Sequence, residues 1–158
     1  MGSRLVLLPV EDLQQRINDE VKELENSVGV YVSLNKTIEG LKAVFDEAGA
    51  KYEKIFFIDC VSSDNVDSEV LYVSPQNLDE LLLSIEEFLE EIKGEKFLII
   101  DALSTLLIYN SENEVARFVE KVIECSSKHK TRFIAFSPKT KGEELLNKVF
   151  NFFDKVEK

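Results

Sequence analysis

Hydrophobic and polar positions follow two different periods along this chain. Short apolar runs at residues 4–8, 28–34 and 54–59 are typical of buried strands. Between them, apolar residues recur every three or four positions, which is typical of amphipathic helices. Because strands and helices are predicted in turn along the whole length, we expect an α/β fold with a mostly parallel sheet.

Two further runs complete the predicted sheet of about five long strands. Residues 96–101 form the most hydrophobic run, which indicates a central strand buried on both faces, and residues 131–137 form the last. A short LYV segment comes before Ser74 and Pro75, which we expect to cap and open the third helix. The final helix is expected to carry the apolar residues Leu145, Leu146, Val149, Phe150, Phe152, Phe153 and Val156.

The length and composition indicate one globular domain over residues 1–158. The chain has 158 residues, of which 44% are hydrophobic and 31% are charged, and this is enough to bury a substantial core. Helices on both sides of the sheet would make a three-layer sandwich. No internal repeat or linker divides the chain.

Charge excludes some partners. Thirty acidic and nineteen basic side chains give a formal net charge of −11, so the protein repels nucleic acids and anionic membranes. No apolar run approaches the roughly 20 residues needed to cross a bilayer, and the N-terminus lacks the apolar segment of a signal peptide. We therefore expect a cytoplasmic protein that binds neither nucleic acid nor membrane.

Cysteine, histidine and clustered charges predict no metal site. Cys60 and Cys125 stand in no recognised metal-ligand spacing and are expected to be reduced thiols. His129 has no nearby partner of catalytic spacing. It belongs to a basic group that suits a helix C-terminus, and an acidic group on the third helix is expected to be a solvated face. The two groups are Lys128, His129, Lys130 and Arg132, and Glu86, Glu87, Glu90 and Glu91.

Two longer stretches resemble a known family. VYVSLNKTIEGLKAVF is similar to the second strand and helix of KaiC-like members of the RecA superfamily of ATPases. FLIIDALSTLLIY resembles the Walker B strand of that family, in which four apolar residues end in Asp and are followed by a small residue, Leu and Ser. The resemblance implies a RecA-like sheet.

The residues that would bind and hydrolyse ATP in that family are replaced here. Its first strand leads into a Walker A loop, whose glycines, Lys and Ser or Thr hold the phosphates and Mg²⁺. The equivalent stretch here begins with Pro9 and carries Glu11 and Asp12, which would repel a triphosphate. The family also places a catalytic Glu after the second strand, where this chain has Asn35 and Lys36.

Asp101 is the remaining element of the family's chemistry, followed by Ser104 and Thr105. Without a phosphate cradle, its carboxylate is expected to accept hydrogen bonds from groups around those two residues. The resemblance therefore implies a non-catalytic homologue, a pseudo-ATPase without cofactor. Family members assemble through faces near the nucleotide site, so a protein partner, including a second copy of this chain, is expected.

Two alternatives stay open. One is nucleotide binding completed by a partner chain. The other is a response-regulator receiver domain, in which acidic residues follow the first strand, a phosphoacceptor Asp ends the third and a Lys follows the fifth. Asp12, Asp59 and Lys139 occupy roughly those places. Strand order separates the folds, because a receiver has its first and third strands adjacent, whereas a RecA-type sheet places the Asp101 strand between them.

Overall fold

Seven parallel strands form one sheet in the computed structural model, which describes residues 2–62, 70–139 and 143–158. The order across the sheet is β4-β3-β2-β5-β6-β1-β7, and every pairing is parallel. The strands are β1 (Ser3–Leu8), β2 (Val28–Ser33), β3 (Ile55–Asp59), β4 (Val70–Tyr72), β5 (Lys96–Asp101), β6 (Thr131–Pro138) and β7 (Lys155–Glu157).

Helices connect the strands and begin at identifiable caps. The Thr37 side chain accepts the backbone N–H of Gly40, and Ser111 and Glu114 form a reciprocal capping box. None of the helices in the described part of the chain is long and apolar enough to cross a membrane. The helices are α1 (Val10–Glu23), α2 (Ile38–Ala48), α3 (Leu78–Glu91), α4 (Glu112–Lys128), α5 (Glu143–Val149) and the 3-10 helices Leu103–Ile108 and Phe150–Phe152.

Each face of the sheet carries its own hydrophobic core, so the α/β class is confirmed and the helices form layers on both sides. On one face α1 and α2 pack on Val6, Tyr31 and Ile99. On the other face α3, α4 and α5 pack on their strand neighbours, such as Leu98 and Ile100. Successive residues of a strand point to opposite faces, so a strand buried on both faces is apolar throughout.

The described residues form seven strands rather than about five, because the pattern does not reveal the two edge strands. Both β4 and β7 have only three residues. The final helix ends at Val149, and Val156, which was expected to lie on it, belongs to β7 and pairs with Leu5. Three residues are too few to show the alternation that identifies a strand.

The third helix also begins later than expected. It starts at Leu78, and Asn77 is its cap, with the Asn77 side chain accepting the backbone N–H of Glu80. Ser74 instead accepts the backbone N–H of Gln76 in the preceding turn. Both sites suit a small polar side chain, and the sequence did not distinguish between them.

Ion pairs join the last strand to the rest of the sheet. Arg4 donates to Glu20 on α1 and to Glu157 on β7, and Arg16 also donates to both carboxylates. The Glu20 side chain is almost fully buried. Each of the four side chains has two partners of opposite charge, so the network holds β7 beside β1 and α1.

Gly29 leaves room for the Phe97 ring on the neighbouring central strand. It pairs with Phe97 across β2 and β5, and a Cβ atom on Gly29 would lie 2.4 Å from atoms of the Phe97 ring. Such a contact is impossible without displacement of the ring, which is itself fully surrounded. Glycine at this position allows the aromatic side chain to fill the core.

Gly29→Ala is expected to lower the free energy of unfolding by about 1–3 kcal/mol, the usual effect of overpacking a core. Urea denaturation measures the change. Phe97→Leu is the matched second variant: its cost should be smaller in the Gly29→Ala background, because the shorter side chain relieves the clash. Strictly additive costs would show that the two residues do not compete for space.

Candidate functional site

The predicted site residues gather at the carboxyl edge of the sheet. Ser33, at the end of β2, lies between Asp59 of β3 and Asp101 of β5 in the strand register. All three side chains are buried, with exposed fractions of at most 1%. Buried polar groups need hydrogen-bond partners, so the partners of each determine what this edge can do.

Asp101 is held by a tyrosine on the neighbouring strand. The Tyr31 hydroxyl donates to Asp101 Oδ2 at 2.8 Å. Burial raises the pKa of Asp101, while the Tyr31 hydrogen bond and the charge of Lys36 partly oppose this. The pKa of Tyr31 is raised well above its usual value by burial and then by the Asp101 charge. The Asp101 carboxylate is therefore held in place by a hydrogen bond within the protein and is shielded from solvent.

Tyr31, and not Ser104 or Thr105, is the hydrogen-bond donor to the Asp101 carboxylate among the described residues. The expectation that groups around Ser104 and Thr105 satisfy Asp101 is thus wrong. Thr105 Oγ1 donates instead to Asn35 Oδ1. Sequence reasoning missed Tyr31, although a tyrosine within an apolar strand is a signal, because a buried hydroxyl usually needs a partner.

Hydrogen bonds join the turn after β2 to the turn after β5, and further hydrogen bonds form within the turn after β2. The bond from Thr105 to Asn35 links the two turns. Within the first turn, Ser33 Oγ donates to the backbone oxygen of Lys36 at 2.5 Å and accepts its N–H at 3.3 Å. These residues lie where the resemblance implied a catalytic Glu, and their polar groups bind one another.

The junction between β1 and α1 contains a single residue. Strand β1 ends at Leu8 and α1 begins at Val10, so Pro9 alone connects them. The acidic residues of the first helical turn, Glu11 and Asp12, are exposed. They suit the positive end of the helix dipole. A phosphate loop of the Walker A type spans about eight residues, and this junction is far shorter.

The residues of the receiver alternative are not brought together. Three strands, β2, β5 and β6, separate β1 from β3, so Asp12 and Asp59 follow distant strands, and Lys139 follows β6. Asp59 Oδ1 accepts the backbone N–H groups of Val61 and Ser62 at 2.7 and 3.0 Å, which closes the turn after β3. The strand order contradicts a receiver fold and places β5 between β1 and β3, as expected of a RecA-type sheet.

A second group of chemically capable side chains lies away from this edge. Potential ligand atoms of Glu86, Cys125 and His129 all lie within 4.8 Å of one another. The view that His129 lacks a nearby cysteine is therefore wrong, because α4 places Cys125 one helical turn before it. The signal was the spacing of four residues, which puts two side chains on one helix face.

The buried Asp101 makes stability depend on pH. Its pKa is raised in the folded state, so the folded protein binds this proton more tightly than the unfolded chain does. Its contribution to stability is therefore most favourable below the unfolded pKa, about 3.9, and falls as pH rises through the folded pKa. We expect Asp101→Asn to gain stability relative to the parent over that window, measured by urea denaturation at successive pH values.

Tyr31→Phe is the companion variant. It removes the hydrogen bond that favours the charged carboxylate, so we expect a loss of about 1.5–3 kcal/mol at pH 7 and a smaller loss at acidic pH. A loss that is equal at all pH values would show that Tyr31 contributes by packing and not through Asp101.

Solved structures with a similar fold come from a hyperthermophilic archaeon. A KaiC-like protein of Pyrococcus horikoshii OT3 superposes with a TM-score of 0.75 at 17% identity, over 98% of this chain and 70% of that one. An uncharacterised protein of P. horikoshii, solved in complex with an unknown peptide, gives 0.72 at 12% identity, over 98% and 76% of the two chains. At these identities the similarity establishes a KaiC-like, RecA-type fold.

A third structure from P. horikoshii OT3 gives a TM-score of 0.67 at 12% identity, over 98% of this chain and 79% of that one. No curated protein matches the sequence. Residues 33–158, from the end of β2 to the last residue, match a family described as of unknown function, DUF7090. This match covers most of the chain, which therefore belongs to the DUF7090 family.

Proposed function

We propose that this protein is a non-catalytic homologue of KaiC/RecA-like ATPases that acts as a binding or regulatory module for a protein partner. The observation that carries the proposal is the junction at Pro9. In the ATPases, the loop between the first strand and its helix surrounds the phosphates with backbone N–H groups. One residue between β1 and α1 leaves no such loop.

Charge at the same junction supports the proposal. Glu11 and Asp12 occupy the first turn of α1, where a phosphate would otherwise interact with the helix N-terminus. Two carboxylates there repel a triphosphate. Lys36 is the basic residue close enough to Asp101 to lower its pKa, and it follows β2 and not the phosphate-loop strand β1.

The residues at two further positions that are catalytic in active relatives, Asp101 and Asn35, also favour a non-catalytic role. Asp101 would organise the Mg²⁺ shell in an active relative, but here it is buried and engaged by Tyr31. Asn35 replaces the acidic residue that polarises water, and a neutral amide is a poor proton acceptor. Its side chain is bound to Thr105. Each group has a structural partner in place of a substrate.

Exposed apolar side chains at this edge favour a protein partner. Val10 follows β1 with 69% of its surface exposed, and Ile108 and Tyr109, in the segment after β5, are 73% and 46% exposed. Exposed apolar side chains at one edge of a sheet are a common feature of interaction surfaces. The uncharacterised P. horikoshii protein with a TM-score of 0.72 was solved in complex with an unknown peptide. That complex supports protein binding as a use of this fold.

Titration calorimetry with Mg-ATP, together with a phosphate-release assay, tests the loss of nucleotide chemistry. We expect neither saturable heat nor turnover. Asp101→Asn is the matched variant, because it keeps the size and hydrogen-bond acceptor of the side chain. Turnover that Asp101→Asn abolishes would overturn the proposal. Mg-ATP binding that appears only after a partner is added would favour a nucleotide site completed by that partner.

The edge is also expected to mediate self-association. Val10→Ser and Ile108→Ser together should weaken any dimer at least about tenfold, as expected when central apolar contacts are removed. Sedimentation velocity over a range of concentrations measures this. Leu83→Ser is the control, since Leu83 is 56% exposed on α3, away from the edge. A monomer at every concentration, or a dimer disrupted only by Leu83→Ser, would place the partner surface elsewhere.

A further inference from the structure

Glu86, Cys125 and His129 meet where α3 and α4 pack against each other. Cys125 and His129 lie one turn apart at the end of α4, and Glu86 comes from the middle of α3. Cys125 is almost fully buried, and the other two are half-buried. None of the three residues lies in a turn that follows a strand, so the cluster shares no residue with the carboxyl edge.

Two features of the cluster favour a bound cation: an unpaired ring nitrogen and an excess of carboxylates. His129 Nε2 is buried and has no hydrogen-bond partner among the described residues, although a buried ring nitrogen is normally paired. The charged groups that act on Cys125 are Glu86, Glu90 and Lys128, so two carboxylates outweigh one ammonium. A cation bound by these three side chains would balance the carboxylates, and binding through Nε2 would also give that nitrogen a partner.

The three donor types identify the class of ion. Thiolate, imidazole and carboxylate are together the ligands of zinc, with metal–ligand distances of about 2.0–2.3 Å. Tetrahedral ligands at those distances lie about 3.3–3.8 Å apart, so ligand atoms within 4.8 Å need to move by about 1 Å. Mg²⁺ and Ca²⁺ prefer oxygen ligands alone, and the thiol disfavours them.

We propose that Glu86, Cys125 and His129 form a zinc site that joins α3 to α4, with water in the fourth position. On binding, the Cys125 thiol releases its proton to solvent and the sulfur forms a bond to the ion. The imidazole and the carboxylate bind in their unprotonated forms. The site is independent of the proposed loss of ATPase chemistry, since it shares no residue with the carboxyl edge.

Zinc binding to the purified chain is measured by competition with a chromophoric chelator, and Co²⁺ serves as a spectroscopic probe. We expect one ion per chain and a thiolate-to-Co²⁺ charge-transfer band. Zinc at about 100 times its Kd should raise the Tm by about 5–10 °C. Mg²⁺ should produce neither effect.

Variants separate this site from chance binding. Cys125→Ser should abolish the charge-transfer band. His129→Gln and Glu86→Gln should each lower zinc affinity more than about tenfold, since even outer-shell partners contribute about 10- to 100-fold. Cys60→Ser, which alters the other buried cysteine, and Glu91→Gln, which alters an exposed carboxylate of α3, should change the affinity less than about twofold.

Three results would overturn the site. The first is the absence of saturable zinc binding. The second is a charge-transfer band that survives Cys125→Ser and disappears in Cys60→Ser. The third is an equal zinc affinity in all variants, which would indicate adventitious binding to surface carboxylates. Because Cys125→Ser alters a buried position, circular dichroism is recorded for each variant. If Cys125→Ser is unfolded, the His129→Gln and Glu86→Gln affinities decide the outcome.

Discussion

The parallel sheet has to be covered on both faces, and the rest of the structure follows from this constraint. Each parallel connection crosses from one end of the sheet to the other, and here helices make most of the crossings. The central strands are consequently apolar on both sides, and two separate cores form. The close contact of Gly29 with Phe97 shows how fully the space between sheet and helices is used. Polar chemistry is left to the strand ends.

At the carboxyl ends of β2, β3 and β5, the buried polar side chains are engaged by hydrogen bonds within the protein. Tyr31 holds Asp101, Thr105 holds Asn35, and backbone N–H groups hold Asp59. An ATPase of this fold would direct such groups toward a nucleotide and its metal. Here they stabilise turns, and the junction at Pro9 is too short to surround phosphates. The same edge retains exposed apolar residues, which is why we propose it as a protein-binding surface.

The cluster of Glu86, Cys125 and His129 illustrates a different relation between helix geometry and chemistry. A spacing of four residues brings the thiol and the imidazole onto one face of α4, while the carboxylate comes from a helix that is distant in sequence. Packing of α3 against α4 over the sheet creates this neighbourhood. A zinc ion there would link the two helices on the face opposite α1 and α2 without involving the carboxyl edge.

The fold class, the long strands and most helix positions could be predicted from the sequence, because apolar periodicity reflects burial on each face. It also indicated that Asp101 ends a central strand and that the turn at Pro9 lacks phosphate-loop residues. Three contacts could not be predicted in this way: Tyr31 with Asp101, β7 with β1, and Glu86 with Cys125 and His129. These contacts join residues that are far apart in the chain, and they depend on strand order and helix packing, which local periodicity does not encode.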